Sequence, residues 1–125
     1  MAQCRSLKGV STPSGLPLDL PLLAADLLRV EHSLKASVAT EDEMLTEVAR
    51  SLILAGGKRL RPVLTLASAY LGDGHASDEV VQGGVAVELV HLGSLYHDDV
   101  MDEAMTRRGV ETANSRYGNF VAIVA

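Results

Sequence analysis

Between Val80 and Tyr96 the chain is apolar around nearly the whole circumference of a helix, and the run ends in His97-Asp98-Asp99-Val100-Met101-Asp102. A helix without a polar face cannot lie on a surface, so this segment has to be central, with other helices laid over it. Ser77 followed by Asp78 and Glu79 is a start signal, which predicts one helix over 78–103, on the order of 40 Å long. Gly83, Gly84 and Gly93 lower its helix propensity. Such glycines are accepted where another helix approaches closely or a ligand needs room.

The remaining chain supplies partners of the same kind. Aromatic residues make up 3% of the 125 residues, while Ala, Leu and Val dominate the 47% that are hydrophobic, a balance that favours helix packing over a sheet. An all-α domain is expected. Residues 1–17 mix Ser, Thr, Pro and Gly without periodicity and read as a disordered leader. From Asp19, a capping residue, Leu23, Leu27, Val30 and Leu34 recur at helical spacing and predict a helix over about 20–39. Thr40 before Glu41-Asp42-Glu43 predicts the start of a second helix, with Leu45, Val48, Leu52 and Ala55 inward, and Gly56-Gly57 as its left-handed stop. Pro62 suits the first residue of a third helix over about 62–71. After Gly109 a polar connector leads to the apolar run Phe120–Ala125. Because the chain stops inside that run, 18–125 reads as the N-terminal portion of a longer helical domain whose remainder covers exposed apolar faces.

Charge narrows the function. A formal net charge of -5 excludes a general nucleic-acid binder, which rests on a basic surface. Five of the eleven Lys and Arg nevertheless fall in two knots, Lys58/Arg59/Arg61 and Arg107/Arg108, a pattern that suits a small anionic ligand. The single Cys4 offers no disulfide framework, and neither a signal peptide nor a membrane span is legible, so a cytoplasmic protein is expected.

The chemistry concentrates between Glu88 and Gly109. On a helix, His91, Asp98 and Asp102 fall within about 20° of one line, so one face carries an imidazole and then two carboxylates a turn apart. Carboxylates at that spacing lie roughly 6 Å from each other and suit a hard cation held through oxygen, as Mg²⁺ is when it shares a site with substrate phosphates. A solvated helix end is the bland alternative. Against it, four acids in six residues (Asp98 to Glu103) at a helix C-terminus oppose the macrodipole and repel each other. The turn Gly56-Gly57-Lys58-Arg59-Leu60-Arg61-Pro62 is odd in the opposite sense, because it sets three cations at a helix N-terminus. A phosphate resolves that conflict. A solvated basic turn remains the alternative for these residues alone, as a satisfied core histidine does for His91.

Together, G-G-K-R-L-R-P at 56–62, D-D-V-M-D at 98–102 and T-R-R-G at 106–109 resemble the trans-type isoprenyl (polyprenyl) diphosphate synthases over residues 41–125. The resemblance implies an all-helical fold around a deep cavity and a homodimer. It implies that Lys58, Arg61, His91 and Arg108 hold the diphosphate of isopentenyl diphosphate. By the same resemblance, Asp98 and Asp102 bind Mg²⁺ bridging to an allylic diphosphate, with Asp99 in support and Arg107 contacting that group. Gly57 fits the turn beside the isopentenyl site. Gly93 and Ser94, where short-chain relatives often carry bulky aromatics, imply products of C20 or longer. Glu111 stands where the family commonly has proline, which bears on the connector geometry. A non-catalytic helical subunit and a terpene cyclase are the competing readings; the Lys58/Arg61/His91 set argues against the cyclase, which has no isopentenyl site.

Overall fold

The computed structural model describes residues 20–125. The expected leader and the Asp19 cap lie outside the described residues. The elements in order are α1 (Leu23–Ser37), α2 (Glu43–Leu54), α3 (Leu60–Gly72), α4 (Asp78–Met101), β1 (Thr106–Arg107), β2 (Val110–Glu111), α5 (Ala113–Tyr117) and α6 (Asn119–Val124). The all-α class holds, since the two-residue strands form one small antiparallel hairpin.

Local chemistry accounts for the helix ends, and in three places it differs from the expectation. Asp42, not Thr40, caps α2: its carboxylate accepts from the backbone N–H of Met44 and Leu45. It stands directly before the first helical residue, where a carboxylate meets both the free amides and the positive end of the dipole. Thr40 instead spends its hydroxyl on the Asp42 carbonyl and on Thr46. Helix α3 begins at Leu60, because Arg59 adopts a left-handed conformation (φ 48°) and turns the chain there. Pro62 is then the third helical residue, where its missing N–H would have had no partner anyway. Ser77 caps α4 through the Val80 N–H as expected, but the helix closes at Met101 with Asp102 as its C-cap.

The core gathers Leu27, Val30 and Leu34 of α1, Val48 and Leu52 of α2, Val63 and Leu66 of α3, and Val81, Val85, Leu92 and Tyr96 of α4. In α2 the third buried residue is Ile53, with Leu45 and Ala55 only half-buried. Helix α4 packs chiefly on α3 and α1, with α5 and α6 lower down. Of its three glycines only Gly84 serves close packing: a Cβ there would lie 3.6 Å from Pro62 Cα, whereas one at Gly93 would meet nothing within 4 Å. The Tyr96 hydroxyl donates to the Val48 carbonyl and so ties α4 to α2. At the other end, Asp26 accepts from Arg29 (2.6 Å) and Tyr70 (2.7 Å), while Arg29 also reaches Asp78, which joins α1, α3 and α4.

Among the described residues α4 is not covered on every side. Neighbours occupy one side of it only, and on the other Val87, Val90 (77% exposed), Ser94 and Met101 face outward, as do Phe120 and Ile123 of α6. No helix among the described residues is long and apolar enough to cross a membrane. Exposed apolar area of this extent marks a contact surface. The 125-residue polypeptide is therefore expected to self-associate in sedimentation velocity, and Val90→Glu with Phe120→Glu should return it to monomer. A monomeric parent would show that these side chains form no adhesive patch.

Candidate functional site

The basic turn is built by two successive reversals. Gly56 (φ 81°) ends α2 as expected, and Arg59 reverses the chain again to start α3. The two turns divide the three cations. Arg59 points inward, 7% exposed, and donates to Glu31, to Glu88 at 3.2 Å and to the Ile53 carbonyl at 3.0 Å. Its guanidinium is thus committed to protein partners, although the residue also lines the cavity beside it. Lys58 and Arg61, on either side of it, are exposed.

Both lie on the wall of a cavity of about 380 Å³, together with Gly57, Arg59, Glu88, His91 and Arg108. The four residues expected to hold one diphosphate therefore come together, although 50 residues separate Lys58 from Arg108. The pocket is electropositive at its rim. Burial, and next the Arg61 charge, push the His91 imidazole below its ordinary pKa, so it enters as a neutral donor and acceptor near pH 7.

Arg108 arrives by a hairpin formed by Thr106–Arg107 and Val110–Glu111, of which only the second strand falls in the polar connector expected after Gly109. Arg107 pairs with Val110 across a two-residue turn, and both turn residues, Arg108 and Gly109, have positive φ (52° and 79°). Such a turn matches the twist of paired strands, and Gly109 adopts its conformation freely. Glu111 belongs to β2, exposed, and accepts from Ser115 at 3.0 Å, so the residue that departs from the family pattern is accommodated at a strand edge.

The hairpin sends its two arginines apart. The Arg108 guanidinium donates to the carbonyls of Gly56 and Leu52, where it meets the negative end of α2. It passes so close to Gly57 that a Cβ there would lie 2.9 Å from one of its nitrogens. Arg107 donates instead to Asp99 at 2.6 Å.

That pair occupies Asp99, which the resemblance places in support of the metal site. Asp99 is 2% exposed, on the packed side of α4, and its carboxylate is committed to Arg107. Asp98 is half-buried and Asp102 exposed; the Asp102 N–H donates to the Asp98 carbonyl at 2.8 Å, so the two remain one helical turn apart. Among the described residues no three His, Cys, Asp or Glu side chains converge on one point. Two carboxylates a turn apart fit a hard cation that takes its other oxygens from a ligand and from water.

Sequence reasoning missed Glu31 and Glu88. A lone carboxylate inside the apolar run of α4 was a signal, because a buried charge must find a partner. The partner's identity was decided only by the turn at Arg59.

The profile of the polyprenyl synthetase family matches residues 42–125. The chain belongs to that family. It is similar to the nonaprenyl diphosphate synthase of Mycobacterium tuberculosis, 44% identical over 101 residues, covering 81% of this chain and 30% of that protein. Crystal structures of a decaprenyl diphosphate synthase from Rhodobacter capsulatus (TM-score 0.77, 40% identity, 83% of this chain and 32% of that one) and of heptaprenyl diphosphate synthase from Staphylococcus aureus (TM-score 0.78, 32% identity, 82% and 32%) share its fold. The chain thus spans about a third of the length of these relatives. The polyprenyl synthetase match holds the whole pocket and the acidic helix end, while α1, with Glu31, precedes it.

The contact at Gly57 gives a direct test of how the hairpin is seated. Gly57→Ala should push the Arg108 guanidinium off its carbonyl partners and lower the unfolding free energy by about 1 kcal/mol, the ordinary net value of such bonds. Urea titration measures it, and unchanged stability would show that Arg108 is not locked there.

Proposed function

We propose that the protein is a prenyltransferase that joins isopentenyl diphosphate to an allylic diphosphate and releases a polyprenyl diphosphate of C20 or longer. The observation that supports this most is the convergence of Lys58, Arg61, His91 and Arg108 on one pocket, about 10 Å along α4 from Asp98. Two diphosphates held at that separation serve a reaction between their hydrocarbon parts.

In this reading Lys58, Arg61 and Arg108 fix the diphosphate of isopentenyl diphosphate by charge, and neutral His91 adds a hydrogen bond. Asp98 and Asp102 hold Mg²⁺, which when bound supplies positive charge to the allylic diphosphate. Arg107, steadied by Asp99, keeps further N–H donors for the same group. The allylic C–O bond breaks with its electron pair passing to the departing diphosphate. The double bond of isopentenyl diphosphate then supplies the electrons of the new C–C bond, and loss of a proton to that diphosphate restores an alkene. No nucleophilic side chain is required; the chain's own contribution is fixed charge and position. A homodimer in the cytoplasm completes the proposal.

Product length follows from what stands before the acidic motif. Gly93 and Ser94 are small and exposed, and open space surrounds the Gly93 Cα where a side chain would project. The relatives named for heptaprenyl, nonaprenyl and decaprenyl products agree with a long tail.

Asp98→Ala or Asp102→Ala should each lower turnover of the intact enzyme by about 10²- to 10³-fold, the usual cost of one preorganised electrostatic contact. Near-normal steady-state turnover in both would sink the assignment. Ser94→Phe places a ring one turn before Asp98 and should shorten the product by one or more isoprene units. Chromatography of the dephosphorylated products reads the outcome, and an unaltered length distribution would mean that the tail avoids this position.

A further inference from the structure

We infer that Glu31 and Glu88, acting through Arg59, are positioning residues for the anion pocket: they brace the turn that presents Lys58 and Arg61. The inference rests on the proposed diphosphate role of that pocket. Arg59 is a non-glycine residue in the left-handed region (φ 48°, ψ 35°), a conformation that side chains other than glycine adopt only when their surroundings impose it. The surroundings here come from three helices. Glu31 of α1 receives the Nε and Nη2 hydrogens, Glu88 of α4 receives Nη1 at 3.2 Å, and the Ile53 carbonyl of α2 receives Nη2 at 3.0 Å. Lys58 directly precedes this residue and Arg61 follows two positions later, so the direction of both depends on the Arg59 backbone. Neither makes an ion pair among the described residues. The carboxylates are thus spent on the one cation that faces inward, and the outward pair is left for a ligand.

Electrostatics alone would argue against this arrangement, and that makes it testable. Glu88 is 2% exposed and lines the pocket, so two carboxylates on one guanidinium leave a surplus negative charge beside an anion site. If Glu88 acted only through its charge, removing that charge would tighten anion binding. A positioning role has the opposite consequence, because a loosened turn no longer directs Lys58 and Arg61.

The experiment is calorimetric titration of the intact protein with inorganic pyrophosphate, below the melting temperature of every variant compared. Glu31 does not line the pocket, so Glu31→Gln can reach the anion only through Arg59. We expect its Kd to rise about ten-fold, equivalent to about 1.4 kcal/mol, and Glu88→Gln to weaken binding as well despite the negative charge it removes. A lowered melting temperature with an unchanged Kd would reduce the brace to a stability device and overturn the proposal, as would tighter binding by Glu88→Gln. Should Glu31→Gln not fold, Glu31→Asp keeps the charge but shortens the reach, and the same ten-fold weakening is expected and the same constancy overturns it. Lys58→Ala separates the two readings: if it leaves the parent affinity unchanged, the pocket assignment itself fails, whereas loss of affinity there with constancy in Glu31→Gln removes the brace alone.

Discussion

A guanidinium taken out of water must be met by fixed negative charge, and Arg59 is where this molecule satisfies that demand. Meeting it requires α1, α2 and α4 to converge on the residue that starts α3. A buried pair of this kind adds little net stability over an apolar substitute, yet losing one partner is costly, commonly about 3–5 kcal/mol. Its consequence is therefore geometric. Once the four helices agree on where Arg59 sits, the direction of its neighbours in the turn is set as well.

The second constraint is the tight turn of a two-stranded hairpin. Arg107 is the last residue of β1 and Arg108 the first of the turn, at positive φ, so the chain reverses between them and they serve different partners although they are neighbours in sequence. One neutralises a buried carboxylate at the end of α4, and the other closes the carbonyl end of α2. The hairpin joins the acidic and basic halves of the site without a side chain common to both. Gly57 gives Arg108 room to pass, and Gly109 allows the turn that brings it there.

Sequence periodicity was sufficient for the framework. The Leu23, Leu27, Val30, Leu34 stripe is buried as its spacing required, and Ser77 and Gly56 begin and end helices where their chemistry places them. Such features are local: a cap or a 3.6-residue repeat carries its own physical cause within a few positions. The same locality explains the errors. Thr40 and Asp42 are both competent caps, and the choice between them depends on which lies directly before the first helical turn. The uniformly apolar α4 gave no indication of which side its neighbours would take.

By itself the sequence determined the all-helical class, the central helix, the pairing of Asp98 with Asp102 one turn apart, and the residue types that suit a diphosphate, because each follows from composition, period or spacing along the chain. Tertiary structure alone decided which of several like charges are committed to partners within the protein. Lys58, Arg59 and Arg61 are chemically similar in sequence, as are Asp98 and Asp99, yet Arg59 and Asp99 are buried in ion pairs while the others remain available. That division depends on a left-handed turn and on a hairpin that bring α1, α4 and the 106–111 segment within hydrogen-bond distance. Contacts between residues 28 or 52 positions apart have no signature in local spacing.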